Sequence, residues 1–295
     1  MDRIDDFVVV NEKSFTDLLT PNAQIRQENN KAKFSDVTQF AALEFQIDYY
    51  ENTLEITDIG NVLGPNLTLA QIIRWQWDEY GEPQVKETKM LKIGGRLKFI
   101  GLYNLCSIVI RILKKKDKSA ENPFQSFNSP DDDLTVQIGD RKVTLSAARL
   151  RCFSPMIDRM LSVEMIEKQQ GLVTLNELGI DMDQFLDFLL HTSQNALSQP
   201  ILPNPKNVFT LLRLSNYFQI DWFKPRCEAH LFNCVEIPLI ERVLLIEKYE
   251  LTDLKNFFLN LNVDKLRAFF KANRDQLVPM ISKEFLADLT WRLCG

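Results

Sequence analysis

The 295-residue sequence predicts an α+β protein, with an antiparallel β domain in its first half, a mixed α/β domain after it and an all-helical C-terminal extension. Apolar and polar residues alternate through much of residues 36–113, which is the period of a half-buried strand. After about residue 145 the apolar residues recur every three or four positions, as on the buried face of a helix. The change of period separates a β-rich part of the chain from a helical part.

Composition favours a folded protein of the cytoplasm or the nucleus. Hydrophobic residues make up 45%, including 20 Phe, which is enough for a large core. The formal net charge of −5 argues against binding to nucleic acid or to anionic lipid. The five cysteines lie singly in apolar runs, as reduced core thiols do. We find no secretory signal, and the apolar run 99–113 contains Arg111 and is too short for a bilayer, so we expect no membrane partner.

The N-terminal half divides into two segments. Residues 1–35 are polar and weakly periodic, and we expect a loosely held arm with at most one short helix. Residues 36–113 are expected to form an antiparallel sandwich or sheet, with a hairpin at Gly94-Gly95. Trp75 and Trp77 lie two apart and so face the same side of a strand, where they form either a core layer or an exposed patch that binds a substrate peptide.

A charged segment rich in Ser, Asn and Pro, residues 114–131, has the composition of an interdomain linker. Alternating apolar residues around Gly139-Asp140 then predict a β-hairpin that leads directly into residues 145–161. An apolar stripe at helical spacing runs through that stretch, but Pro155 interrupts it at a cost of about 3 kcal/mol for a continuous helix. We therefore predict two short helices, with Ser154 as the N-cap of the second.

The sequence offers little for catalysis, and we expect no enzyme activity, no cofactor and no metal. The two histidines, His191 and His230, are far apart, and no phosphate-binding, nucleophile-elbow or zinc-protease motif is present. Cys227 and His230 are three residues apart, but no second ligand pair has metal-binding spacing. We interpret His230 as a structural histidine among apolar neighbours.

The ordered parts of residues 132–234 resemble the BTB/POZ domain. The hairpin is followed by the Leu-x-x-x-Ser-Pro pattern of Leu150–Pro155, and "LLRLSNYFQIDWFKPRCEAHLF" is similar to the end of that domain. The sequence departs from the family at Ser146-Ala147, where a His-Lys pair is usual, and at the end of the third helix, "LLHTSQ". Residues 235–295 resemble the BACK-like (3-box) helical extension of BTB adaptors, and residues 36–113 are similar in position and length to a MATH domain.

The resemblance implies a homodimer that recruits a protein substrate to a cullin-type ubiquitin ligase. An alternative is a dimeric scaffold for regulatory or transcriptional proteins that binds no cullin. Under the adaptor reading, Trp75 and Trp77 are candidates for substrate recruitment. The resemblance places the dimer interface on the first helices and the cullin or partner surface on later ones. The expected dimer residues are Leu145, Ala148, Cys152, Met156, Ile157 and Met160, and the expected partner-surface residues are Met165, Leu190, His191, Tyr217 and Phe218.

Overall fold

The N-terminal half of the chain forms two antiparallel sheets of four strands each. Sheet A has the order β1-β8-β5-β6 and sheet B the order β2-β3-β4-β7. The strands, numbered along the chain, are β1 (Phe7–Phe15), β2 (Lys31–Ser35), β3 (Ala42–Asp48), β4 (Thr53–Asp58), β5 (Thr68–Trp77), β6 (Pro83–Lys92), β7 (Arg96–Ile100) and β8 (Ser107–Lys115). The computed structural model describes residues 7–16, 31–35, 42–48, 50–59, 68–101, 106–116, 124–125, 133–163, 169–193 and 201–294.

The two sheets share one apolar core and therefore form a β-sandwich. Leu54 and Phe99 of sheet B pack in the same buried cluster as Ile72 and Ile110 of sheet A. This arrangement confirms the antiparallel β domain that the alternating pattern predicts.

Strand β8 is buried on both of its faces. Ile108, Ile110 and Ile112 face the sandwich core. Val109, on the opposite face, packs with Val235 from the C-terminal part of the chain. Residues 229–295 accordingly belong to the same compact unit as residues 1–115, and residues 116–228 form a second unit. These units do not follow the expected boundary at residue 235, because the C-terminal segment packs on the sandwich.

The second unit holds a three-stranded sheet of β9 (Asp133–Ile138), β10 (Arg141–Ser146) and β11 (Leu172–Thr174), in the order β10-β9-β11. Strands β9 and β10 form the predicted hairpin, and β11 joins β9 in parallel. Its helices are α1 (Ala147–Phe153), α2 (Pro155–Ser162), α3 (Met182–Thr192) and α4 (Val208–Tyr217), followed by α5 (Lys224–Asn233), within which the division between the units falls.

The C-terminal helices of the first unit are α6 (Leu239–Tyr249), α7 (Thr252–Leu259), α8 (Val263–Leu277) and α9 (Lys283–Cys294). Phe258, Phe269 and Phe285 join three of these helices, with ring centroids 5.4 Å and 6.0 Å from that of Phe258. The prediction that this end of the chain is helical is confirmed.

The expectation of a loosely held arm over residues 1–35 does not hold for Phe7–Phe15, which is strand β1 of sheet A, or for Lys31–Ser35, which is strand β2 of sheet B. A β-bulge between Val9 and Asn11 shifts the register of β1 against β8. The bulge moves the later residues to the other face and so removes the regular alternation that identifies a strand. Residues 1–6 and 17–30 of the expected arm lie outside the described residues. The expected linker likewise begins within β8, which extends to Lys115.

Candidate protein-interaction surfaces

Helices α1 and α2 are separated at Ser154, as the sequence predicts. The Ser146 hydroxyl accepts from the Arg149 amide and caps α1. The buried Ser154 hydroxyl accepts from the Ile157 amide and donates to the Phe218 carbonyl oxygen at 2.8 Å. Pro155 is the first residue of α2, where a backbone N–H would have no partner within the helix. The break thus costs little, and it gives the second helix a new direction.

The expected dimer stripe divides between an exposed side and the core. Ala148 and Cys152 are exposed, and Met156 and Met160 are half-buried. Ile157 is buried with Leu161 one turn later, because successive helical residues point about 100° apart and the methionines occupy the adjacent direction. Leu145 is a strand residue of β10 and is also buried. Leu145 and Ile157 therefore belong to the core of this unit and not to its surface.

Polar contacts surround the exposed side of this helix pair. Arg151 of α1 donates to the Asp158 carboxylate of α2 at 2.9 Å and to the Ser162 hydroxyl at 3.2 Å. We call the surface formed by Ala148, Cys152, Met156 and Met160 the α1–α2 face. It combines a small apolar stripe with a fixed ion pair at its side, an arrangement suited to association with another protein surface.

The expected cullin surface is only partly exposed. His191 and Phe218 are buried. The Nδ1 atom of His191 is hydrogen bonded to the Asp187 carbonyl oxygen at 2.7 Å, and Phe218 stacks on Phe188. These two residues support the core and cannot form the surface that we predicted. Leu190 is half-buried, Tyr217 is 38% exposed and Met165 lies outside the described residues.

Sequence reasoning missed Trp222 as a surface residue. Its side chain is 42% exposed and lies 5.2 Å from the guanidinium of Arg226. An exposed Trp held by a neighbouring cation is a typical anchor of protein interfaces. Trp222 lies in the 3-10 helix Asp221–Phe223 between α4 and α5, and Phe223 is the buried residue of that helix. The adjacent aromatic pair in this short connection was the signal in the sequence.

Trp75 does not form an exposed recruitment patch. It is 4% exposed and packs with Ile73, Val109 and Val235 on the outer face of sheet A, the face away from the sandwich core. Trp77 packs partly against this cluster, with its ring edge-on to Trp75 at 5.3 Å. Of the two alternatives, the core layer is the correct one for Trp75.

An open cleft of about 480 Å³ lies on the sandwich, and Trp75 is one of the residues that line it. It is lined by residues of β5 and β6 and by both ends of the β7–β8 connection. The Arg74 guanidinium is held there by the carbonyl oxygen of Ile100 at 2.8 Å. The lining residues are Arg74, Trp75, Gln76, Lys86, Gly101 and Cys106.

A buried ionic cluster lies on the same outer face of sheet A. The fully buried Arg111 of β8 donates from Nε to Glu12 of β1 at 2.5 Å and from both terminal nitrogens to the carboxylate of Glu236. Its Nη1 also donates to the Gln71 side-chain oxygen at 3.1 Å. The Nδ1 atom of His230 lies 3.1 Å from Glu12 Oε2, so His230 is a structural residue of this cluster.

Burial and charge set the protonation of the cluster. Burial alone would raise the pKa of Glu12, but the nearby charges of His230 and Arg111, together with their hydrogen bonds, hold that pKa below its ordinary value. Burial would likewise lower the pKa of Arg111, but the carboxylates of Glu12 and Glu236 raise it. The cluster therefore contains a permanent cation between two carboxylates.

The buried cysteines are not poised for nucleophilic chemistry. Burial raises the pKa of the Cys106 thiol to about 11 and that of Cys234 to about 12, and it also raises the pKa of Cys227. Reactive cysteines require the thiolate, which these surroundings disfavour. The described part of the chain holds no group of three or more His, Cys, Asp or Glu side chains placed to bind a metal ion.

No helix among the described ranges is both long enough and apolar enough to cross a membrane.

A scan against protein-family models finds no match to the chain, and a search of curated proteins also finds none. The BTB/POZ, BACK-like and MATH resemblances therefore stay predictions from the sequence.

Proposed function

We propose that the chain is a non-enzymatic homodimeric adaptor that brings a protein substrate to a cullin-type ubiquitin ligase in the cytoplasm or the nucleus. The observation that carries the proposal is the α1–α2 face. A β-hairpin leads into two capped helices with a Ser-Pro break, and four apolar side chains remain at the surface of that pair: Ala148, Cys152, Met156 and Met160. The order of hairpin, helix pair and later strand is the order that the BTB/POZ resemblance implies.

The chemistry of this function is association. Apolar helix faces that meet across a two-fold axis in an obligate dimer usually bury about 2,000 Å² or more in total. A dimer also presents every other contact surface twice, so two weak substrate contacts act together. Such a protein needs no nucleophile, and the raised pKa of its buried thiols agrees with that.

For the remaining two surfaces we propose different residues from those expected at first. Tyr217 and Trp222 are the exposed aromatic residues near the end of α4 and are our candidates for the cullin contact. The cleft lined by Arg74, Trp75 and Lys86 is our candidate for substrate recruitment, in place of an exposed patch formed by Trp75 and Trp77.

The burial of His191 and Phe218 favours a second candidate function, a dimeric scaffold that binds no cullin. Capture of endogenous cullin on the purified full chain distinguishes the two, with a known BTB adaptor as the positive control. The adaptor proposal predicts recovery of cullin, and Trp222→Ala is expected to reduce it because truncating an interface anchor costs about 2 kcal/mol or more. Trp291→Ala, at another exposed Trp, is the matched control. If cullin is recovered with the known adaptor but not with this chain, the result favours the scaffold.

A further inference from the structure

Besides the contact of His230 with Glu12, the C-terminal segment touches the outer face of sheet A at three separate points. The Glu236 carboxylate meets Arg111, and Val235 packs against Ile73, Trp75 and Val109. The third point is the β5–β6 hairpin, where the Glu82 carboxylate accepts from the first amides of α6, at 2.8 Å from the Leu239 nitrogen and 3.3 Å from that of Ile240. This face is therefore covered by residues far away in sequence.

Strand β1 depends on the same contacts. Among the described strands it lies at the edge of sheet A and pairs with β8 alone. Arg111 donates to the Oε2 atom of Glu12, and the Nδ1 atom of His230, which belongs to the C-terminal segment, lies 3.1 Å from the same oxygen. A single guanidinium thus contacts carboxylates from the first strand and from the segment that precedes α6.

We propose that residues 229–294 form a reversible cover on the outer face of sheet A, and that Arg111 couples the opening of this cover to the release of strand β1. When the cover leaves, Arg111 loses Glu236 and Glu12 loses His230, so the edge strand keeps its ladder to β8, the contact of Glu12 with Arg111 and the packing of Phe15 in the sandwich core. When β1 leaves, Arg111 and His230 lose Glu12, so the cover no longer has the contact between His230 and that carboxylate. Coupling of this kind is reciprocal by thermodynamic necessity.

The surface beneath the cover differs from the rest of the sandwich surface. Ile73, Trp75 and Val109 form an apolar layer next to a buried cation. The closed cover hides this layer, and only the open state presents it to solvent. The device therefore gives the sandwich two states that differ in one exposed face.

Hydrogen exchange measured by mass spectrometry on the full-length chain tests the coupling. Glu236→Gln and Glu12→Gln each remove one charge with little change of shape, and Asp275→Asn, at an exposed position of α8, is the control. We expect both cluster variants to speed exchange in Phe7–Phe15 and also in Leu239–Tyr249, by about 5-fold to 150-fold, the usual range of such coupling. The control is expected to change neither segment.

The proposal is overturned if each variant speeds exchange only in its own segment. Should a variant fail to fold, the unmodified chain still gives an answer through the urea dependence of exchange. If Phe7–Phe15 and Leu239–Tyr249 share one opening free energy and urea slope, and both lie below those of β8, the result supports one shared opening. Different values for the two segments, or values equal to those of β8, overturn it.

Discussion

The Glu236 carboxylate accepts hydrogen bonds from both terminal nitrogens of the buried Arg111 guanidinium, across 125 positions of sequence. Arg111 also donates to Glu12, so its two ion pairs join the first strand, a central strand and the C-terminal segment of one compact unit.

Arg111→Met is expected to lower the free energy of unfolding by about 3–5 kcal/mol, because it leaves the buried Glu12 carboxylate without its cation. Urea unfolding measures the loss. Arg96→Met is the matched control, since Arg96 makes an exposed ion pair with Glu55 and such pairs contribute about 1 kcal/mol or less. Equal losses for the two variants would contradict the role of the cluster.

Gly81→Ala tests the contact between the β5–β6 hairpin and α8. Gly81 has φ +76°, and a Cβ there would lie 2.3 Å from the Lys265 carbonyl oxygen and 2.8 Å from the Phe269 nitrogen. We expect a loss of about 1–3 kcal/mol from overpacking, in addition to the backbone cost of a positive φ. Gly94 has a similar φ of +67° but open space around it. Gly94→Ala therefore measures the backbone cost alone, in thermal or urea unfolding. If the hairpin were not packed on α8, Gly81→Ala and Gly94→Ala would lower the free energy of unfolding by the same amount.

The lowered pKa of Glu12 predicts a specific dependence of stability on pH. A carboxyl group whose pKa is lower in the folded state stabilises the fold fully above its unfolded value of about 4.3, and the contribution disappears as the pH falls through the folded value. The unmodified chain should therefore lose stability more steeply than Glu12→Gln below about pH 4. Urea midpoints measured from pH 7 to pH 3 show the difference, and parallel curves would contradict it.

Local chemistry explains which parts of the fold could be predicted. The hairpin at Gly139-Asp140 and the break at Ser154-Pro155 depend on turn and cap residues that act within a few positions, and both are present. The sequence does not show which side of the second helix faces the core. Ile157 was therefore predicted to lie at the surface, although it is buried.

Long-range contacts explain what the sequence could not predict. Strand β1 was missed because its bulge breaks the alternation, and the cover was missed because no local pattern links Arg111 to Glu236. One signal was present: an arginine in the middle of a buried apolar strand requires a buried partner, although the sequence does not say which carboxylate provides it. The burial of Trp75 depends on the same cover.

Met156→Asp tests the α1–α2 face. A carboxylate placed in an apolar contact without a cation costs on the order of 1–3 kcal/mol, so the dissociation constant of the dimer should rise about 10-fold to 100-fold. Met280→Asp makes the same substitution at an exposed methionine of the C-terminal region and should leave the dimer unchanged. Sedimentation velocity over a range of concentrations measures both. Equal effects of the two variants would remove the α1–α2 face as the interface.

The most direct test of the proposed function is the mass of the unmodified chain in solution, measured by size-exclusion chromatography with light scattering at micromolar concentration. A homodimeric adaptor predicts twice the chain mass of 34.3 kDa. A mass of one chain, unchanged as the concentration rises through the micromolar range, would contradict the dimer and with it the adaptor built upon it.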